Sequence, residues 1–157
     1  MTSATAITQP KAPLTGFGGW LIWLAIGQAL AIPRMVQKLV AYYGDESTPA
    51  MFQATPVAMY GELILWVCYL VLVIYTTGAF FYKKRAFKRA FTIQSLSLLA
   101  FGIIDLIWIS AVDGVPLAAM INEGAGQLGS AVGATIGMIP WVAYVWRSRR
   151  VANTFVN

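Results

Sequence analysis

The sequence is dominated by four long apolar stretches, which lie at about 18–40, 57–82, 90–111 and 124–146. Each is close to the roughly 20 residues that an α-helix needs to cross the hydrocarbon core of a bilayer. Lipid cannot hydrogen-bond the backbone, and a helix satisfies its own N–H and C=O groups within one segment. The pattern therefore predicts an all-α integral membrane protein built as a bundle of four transmembrane helices.

The amino-acid composition agrees with this prediction and excludes several kinds of site. Hydrophobic residues make up 59% of the 157 residues and charged residues 11%, whereas charged residues are about a quarter of an ordinary soluble domain. The chain contains no histidine and a single cysteine, so the usual ligands of haem, zinc and iron–sulfur clusters are missing. We therefore expect no metal and no other cofactor.

Positive charge is concentrated between and after the apolar stretches. The connection at 83–89 carries five basic residues and the segment after the fourth stretch carries three, whereas the connections at 41–56 and 112–123 carry none. Short loops rich in lysine and arginine stay in the cytoplasm, so four crossings place both termini there. The net charge of +5 is thus interpreted as a topology signal, with no nucleic-acid partner. An alternative is that the basic connection binds anionic lipid or a partner.

The domain organisation follows from these stretches. Residues 1–16 are polar and contain proline, which predicts a disordered cytoplasmic tail. Residues 17–147 form the four-helix transmembrane domain, and residues 148–157 form a basic cytoplasmic tail. The triplet Ala29-Leu30-Ala31 has the form of a signal peptidase site, but the apolar stretch continues beyond it. We therefore interpret the triplet as part of the first helix.

Three charged residues, Arg34, Glu62 and Asp105, interrupt the apolar stretches. A charge at the centre of a membrane helix costs about 2.5–3.5 kcal/mol on insertion scales. At about 1.5 Å per residue, Arg34 and Asp105 lie about 24 and 22 Å from the basic ends of their helices, and Glu62 lies about 8 Å from the opposite boundary. All three are thus predicted at a similar depth, in a cluster where Arg34 neutralises one or both carboxylates.

An alternative is that Arg34 extends toward water, and that each carboxylate is accommodated by protonation or by water. Gln94 lies 11 residues before Asp105 and shares its helix face, which predicts a polar stripe toward the bundle interior. Such a stripe either holds the helices together or conducts a proton or substrate. With no histidine in the chain, the structural role is favoured.

The fourth apolar stretch carries glycines on one helix face. Their spacing places them side by side, at Gly126, Gly129, Gly133 and Gly137. Membrane helices associate through such faces because lipid gives no hydrophobic driving force and small residues permit close backbone approach. The face is predicted to pack against another helix, and a helix of the same chain is favoured over another protein.

Both ends of the sequence resemble those of a known family. The opening contains Gly18, Gly19 and Trp20 followed by leucine, and the close contains a proline–aromatic pair followed by a serine–basic segment with Arg149, Arg150, Thr154 and Phe155. These ends resemble DUF2569, a family of small bacterial membrane proteins of unknown function. The resemblance implies a four-helix protein of the bacterial inner membrane and transfers no catalytic residue. It leaves two roles open for the C-terminal segment, clamping the start of the first helix or anchoring at the membrane interface.

Together these features favour a non-catalytic accessory or interaction subunit of a larger membrane complex. The alternative is a small transporter or ion-conducting oligomer that uses Arg34, Glu62 and Asp105. An enzyme is disfavoured, because isolated carboxylates in the membrane have no histidine, activated nucleophile or metal to work with.

Overall fold

The computed structural model describes residues 14–157, apart from the side chains at positions 123 and 127. Within this range all regular structure is helical. Four helices are long: α1 (Trp20–Tyr43), α3 (Pro56–Phe81), α4 (Phe87–Asp113) and α6 (Ala125–Arg147). Three are short: α2 (Thr48–Ala54), α5 (Leu117–Glu123) and α7 (Arg149–Thr154). Residues 1–13 of the predicted disordered tail lie outside the described residues.

Three of the long helices have the length and apolar composition needed to cross a membrane. They are α3, α4 and, within α6, the segment Leu128–Arg147. The all-helical fold and the apolar helices of membrane-spanning length are therefore confirmed. With 24 residues, α1 is of similar length and carries Gln28, Arg34 and Lys38, but it is not among the described helices that meet both criteria.

The connection between α1 and α3 and the connection between α4 and α6 contain short helices that were not predicted from the sequence. Pro49 lies in the first turn of α2 and Pro56 in the first turn of α3. Proline is favoured there, because the first turn of a helix leaves its N–H groups unpaired. Both prolines therefore mark the starts of helices. Asp45 stabilises the turn before α2 by accepting a hydrogen bond of 2.8 Å from the Ser47 amide, which holds the pKa of its carboxyl below the ordinary value.

The segment after α6 is an ordered part of the fold and not a free tail. Ser148 ends α6 and caps α7, because its hydroxyl accepts a hydrogen bond of 3.4 Å from the Val151 amide. Val151, Thr154 and Phe155 are all buried. The prediction that 148–157 is only a basic tail missed the apolar residues that follow its arginines.

The long helices form a row in which α1 packs on α3, α3 on α4, and α4 on α6. The row closes at the basic-connection end of the helices, where Trp20 of α1 meets Trp141 of α6. The main core lies at the end of this row that carries the basic connection. Its fully buried members come from α1, α3, α4, α6 and α7 and include Leu21, Phe80, Phe87, Phe91, Val145 and Val151. A second, smaller core around Met35, Tyr69 and Val73 lies nearer the other end.

Candidate functional site

The two ends of the described chain meet beside the basic connection. The Gly16 amide donates a hydrogen bond of 3.0 Å to Thr154 Oγ1, and Asn153 Nδ2 donates one of 3.4 Å to the Leu14 carbonyl. Gly18 lies so close to the Arg150 guanidinium that a side chain at position 18 would overlap it. The C-terminal segment therefore clamps the start of α1, which is the first of the two roles that the sequence left open.

The contacts between the C-terminal segment and the start of α1 are called the terminal cluster, and aromatic rings fill its interior. The Phe155 ring stacks on Phe87 with 4.5 Å between centroids and lies 5.4 Å from Phe80. Trp20 and Trp141 meet edge to face at 6.0 Å and join α1 to α6. Such aromatic pairs contribute about 0.5–1.5 kcal/mol beyond the area they bury, so the last residues of the chain help to fix the relative positions of four helices.

The basic connection is held by the same C-terminal segment. The Arg85 amide donates a hydrogen bond of 2.7 Å to the Asn157 carbonyl, and the Asn157 amide donates one of 3.3 Å to the Lys83 carbonyl. Arg85 Nε also donates a hydrogen bond of 2.7 Å to the Val156 carbonyl. The Lys83 ammonium lies 5.6 Å from the centroid of the Phe17 ring. The connection with most of the positive charge is therefore held in a defined conformation.

A second polar group, the carboxylate cluster, lies at the opposite end and consists of Tyr42, Tyr43, Glu62 and Asp105. Glu62 is buried, with 8% of its surface exposed. Its carboxylate accepts hydrogen bonds from the Tyr42 hydroxyl at 3.2 Å and from Trp66 Nε1 at 3.3 Å. Because Trp66 is four residues after Glu62, both lie on one face of α3.

Asp105 lies close enough to Glu62 for the two carboxyl groups to interact electrostatically, and both tyrosines interact with both carboxyl groups. Asp105 Oδ1 and the Tyr43 hydroxyl are buried, and neither has a hydrogen-bond partner among the described residues. Buried polar atoms are normally paired, because an unpaired one costs about 1–3 kcal/mol. The carboxylate cluster is therefore incompletely satisfied.

Arg34 does not neutralise this cluster as predicted. It is exposed on α1, and no ion pair between Arg34 and Glu62 or Asp105 is found in the described part of the chain. The buried Met35 beside it points to α3, and successive helix residues are turned by about 100°. Arg34 is therefore directed away from the carboxylates, and neutral donors take its place at Glu62.

Further buried polar residues lie between the two ends. The Thr77 hydroxyl donates a hydrogen bond of 3.2 Å to Gln28 Oε1, joining α1 to α3. Gln94 on α4 is buried, as expected for a polar face turned inward, and its Oε1 has no partner among the described residues. The interior of the row is thus polar at several depths.

Comparison with known proteins shows the family to which the chain belongs. A sequence model of DUF2569, described as a protein of unknown function, matches residues 14–156, which is nearly the whole chain. The chain belongs to the DUF2569 family. No curated protein and no solved structure matches it.

Most residues that carried the family resemblance are brought together in this DUF2569 protein. Gly18, Arg150, Thr154 and Phe155 meet in the terminal cluster, and Trp20 packs beside it on Trp141. Gly19 precedes α1 with a φ of 58°, a left-handed conformation that favours glycine. Arg149 is the exception, because it is exposed on α7.

The glycine face of α6 is not packed against any described part of the chain. Gly126, Gly129, Gly133 and Gly137 are all exposed, and a Cβ added at any of them would meet no atom within 4 Å. The favoured internal partner is therefore wrong. The inward face of α6 is formed by larger residues such as Met138, Val142 and Val145, because these fill the space beside α4.

Close helix approach occurs instead at Gly61, a residue that the sequence analysis missed. The Trp108 indole of α4 lies against the Gly61 backbone, where a Cβ would overlap the ring, and its Nε1 donates a hydrogen bond of 3.4 Å to the Ala58 carbonyl. No repeat of small residues marks this contact. The four-residue spacing of Glu62 and Trp66, by contrast, was readable in the sequence.

The chemistry available at these sites is limited to hydrogen bonding, charge and packing. Among the described residues, no group of three or more histidine, cysteine, aspartate or glutamate side chains is placed to hold a metal ion. The carboxylate cluster can bind a proton or a cation, and the open face of α6 can accept a helix. These two features carry the functional alternatives.

Proposed function

We propose that this DUF2569 protein crosses the bacterial inner membrane four times, with α1 as the first span and both termini in the cytoplasm. With 24 residues, α1 is about 36 Å long, and it packs along α3, which is itself a candidate span. The basic connection contacts the C-terminal segment, and that segment contacts the start of α1. One end of the row therefore carries the lysines and arginines that resist translocation.

We propose that the protein acts as a non-catalytic interaction subunit of a larger membrane complex, and that the glycine face of α6 is its contact. One observation carries this proposal: the four glycines lie on an open surface of α6, and Gly129, Gly133 and Gly137 lie within its candidate span. Exposed Val132, Ile136 and Ile139 flank them. Glycines flanked by branched side chains form a shallow groove of the kind in which membrane helices pack.

The occupant of this groove is a transmembrane helix of another polypeptide. Glycine has a low helix propensity, so four glycines within α6 weaken the helix without packing any helix of the same chain. A second helix that approaches the backbone recovers this cost through van der Waals contact. Its contacting side carries small residues, because large ones would hold the two backbones apart.

The test replaces Gly133 with leucine and purifies the full chain from its host membrane in mild detergent. The expected result is loss of co-purifying polypeptides, while the amount and thermal stability of the chain stay unchanged. Gly27→Leu is the matched control, since Gly27 is also an exposed glycine with no atom within 4 Å of an added Cβ. Equal retention of partners by both variants would remove the glycine face from the proposal.

A second function, a small transporter or ion-conducting oligomer, is favoured by the unpaired polar atoms of Asp105 and Gln94. A transport path needs polar groups that exchange partners, whereas a purely structural network is satisfied. The purified chain in liposomes would be assayed for proton or cation flux, with Asp105→Asn as the variant. Flux that this substitution abolishes would favour transport over the accessory role.

The proposed cytoplasmic location of the C-terminus is tested separately, by a reporter fusion. A reporter that functions in the cytoplasm is expected to be active when it is fused after Asn157, and one that functions only in the periplasm is expected to be inactive. A reporter active only in the periplasm would overturn the proposed orientation, and it would leave the α6 contact to be judged by the purification experiment.

A further inference from the structure

A groove between α3 and α4 opens at the basic end of the molecule. It has a volume of about 530 Å³ and is lined by Leu72, Tyr75, Arg85, Arg89 and Ile93 among others. We call it the basic groove. Its arginines lie at one end of the helix pair, and its apolar residues extend along the helices toward the middle of the row. Leu72 is nine residues before the end of α3, so the apolar wall extends about 14 Å from that end.

A second groove of about 410 Å³ lies directly beside the first. The two share Tyr75 and Ala86, and the second adds Gly78, Ala79 and Lys84 to its lining. Tyr75 is exposed over 57% of its surface and forms a ridge between the grooves. The two grooves thus meet at one aromatic side chain, with Arg85 and Arg89 lining the first groove and Lys84 lining the second.

The cations of the grooves have no neutralising partners. None of the chain's acidic residues lies in the segments 72–93 or 147–157. Within the described part of the chain, the side chains of Lys84 and Arg89 make no hydrogen bond or ion pair. Arg85 uses only its Nε, to hold Val156, so its terminal nitrogens remain available. The grooves therefore combine unpaired positive charge with apolar walls.

We propose that the basic groove and its neighbour bind one anionic glycerophospholipid, with its phosphate on Arg85 and Arg89 and its two acyl chains on either side of Tyr75. Basic pockets between transmembrane helices bind anionic head groups, and arginine forms strong paired hydrogen bonds to phosphate oxygens. A free anion would gain nothing from the apolar walls. A zwitterionic lipid would leave the net positive charge of the groove without compensation.

The topology role of the basic connection does not account for this arrangement. Retention in the cytoplasm depends on the number of lysines and arginines near the span, not on the groove they line. Lys88 and Arg149 carry charge at the same end but line neither groove. They provide a control in which the net charge changes equally and the grooves stay intact.

The experiment measures lipid retention by native mass spectrometry of the full chain in mild detergent, with added dioleoylphosphatidylglycerol. The wild type is expected to retain one lipid. Arg89→Gln is expected to weaken binding about fivefold, and Arg85→Gln combined with Arg89→Gln about 30-fold, from the contribution of each charge next to the lipid phosphate. The control, Lys88→Gln combined with Arg149→Gln, is expected to stay within about twofold of the wild type, because these side chains line neither groove and salt screens the more distant charges.

Two further arms test the apolar walls and the source of the phosphate. Ile93→Trp fills the basic groove without changing charge and is expected to reduce retention as strongly as Arg89→Gln. Millimolar inorganic phosphate is expected not to displace the lipid. Size-exclusion profiles and helical circular dichroism check each fold, and Arg89→Gln alone carries the test if the variant lacking Arg85 does not fold.

Four results would overturn the proposal. Equal loss in the Lys88 and Arg149 control would show a general charge effect. Equal retention of dioleoylphosphatidylcholine would show that the net negative charge of the lipid is not recognised. Displacement by inorganic phosphate would identify a soluble anion as the ligand, and unchanged retention by Ile93→Trp would show that no acyl chain enters the groove.

Discussion

At the basic end, α7 and the residues before α1 close over stacked phenylalanines, and hydrogen bonds join the C-terminal segment both to residues 14–16 and to the basic connection. At the carboxylate end, Asp105 and Tyr43 each keep a buried polar atom without a partner among the described residues. Apolar contacts and these hydrogen bonds stabilise the basic end. The carboxylate end is less stabilised, because it buries polar atoms that have no such partners.

The basic end is therefore interpreted as an anchor, and the carboxylate end as the more adaptable region. Aromatic packing depends on shape and tolerates little change, so the basic end is expected to hold the helices in a fixed arrangement. Unsatisfied polar atoms have less to lose when neighbours move, and in membranes they often mark functional positions. Substitutions matched between the two ends test this division.

The largest effect is expected for Phe155→Ala. Phe155 is 3% exposed and stacks on Phe87, and truncating a buried phenylalanine typically costs about 3–5 kcal/mol. Thermal unfolding in mild detergent, followed by circular dichroism, measures the change. Val156→Ala is the control, because Val156 is 50% exposed and holds Arg85 through its backbone carbonyl. If both variants unfold alike, the basic end is not the anchor.

A smaller loss is expected for Gly61→Ala near the carboxylate end. The added methyl group would overlap the Trp108 indole and push α3 away from α4, and such overpacking costs about 1–3 kcal/mol. Gly78→Ala on the same helix is the control, because a Cβ there meets no atom within 4 Å. Combining Gly61→Ala with Trp108→Ala is expected to remove the overlap. The double variant would then be no less stable than Trp108→Ala alone.

Within the carboxylate cluster, the adjacent tyrosines are expected to respond differently. Tyr42→Phe removes a hydrogen bond to Glu62 and is expected to cost about 1 kcal/mol, below the usual value for a charged acceptor because Tyr42 is partly exposed. Tyr43→Phe removes a buried hydroxyl that has no partner among the described residues. It is expected to be neutral or stabilising. Equal losses in equilibrium unfolding would indicate that Tyr43 has a ligand or partner in the membrane.

The smallest change is expected for Gly133→Ala on α6. No atom lies near the added methyl group, and alanine favours a helix over glycine by about 0.5–1 kcal/mol. The purified chain is thus expected to keep its unfolding midpoint or to raise it slightly. A marked loss would mean that the open face packs within the chain after all, in contrast to Gly61.

The class of fold could be predicted because its signals are local. Runs of apolar residues locate helices of membrane-spanning length whatever their neighbours. Local signals did not reveal the short helix α2, since a proline such as Pro49 suits both a loop and the first turn of a helix. They also failed at the C-terminal segment, where the arginines concealed Val151 and Phe155.

The candidate sites were predicted only in part. Glu62 and Asp105 were expected together because depth in a membrane can be counted from the sequence. Arg34 was expected with them for the same reason, but depth does not fix the direction in which a helix turns its side chains. That direction is set by Met35 and the other residues that α1 buries against α3.

By itself, the sequence determined that the chain is helical and has apolar helices long enough to cross a membrane, and that its positive charge lies next to the ends of these helices. These properties depend on composition and on the rise of a helix, and both are local. Only the tertiary structure decided that the C-terminal segment clamps α1, that neutral donors hold Glu62, and that the glycines of α6 face outward. Such pairings depend on how each helix is rotated against its neighbours, and that rotation is a balance of contacts from the whole chain.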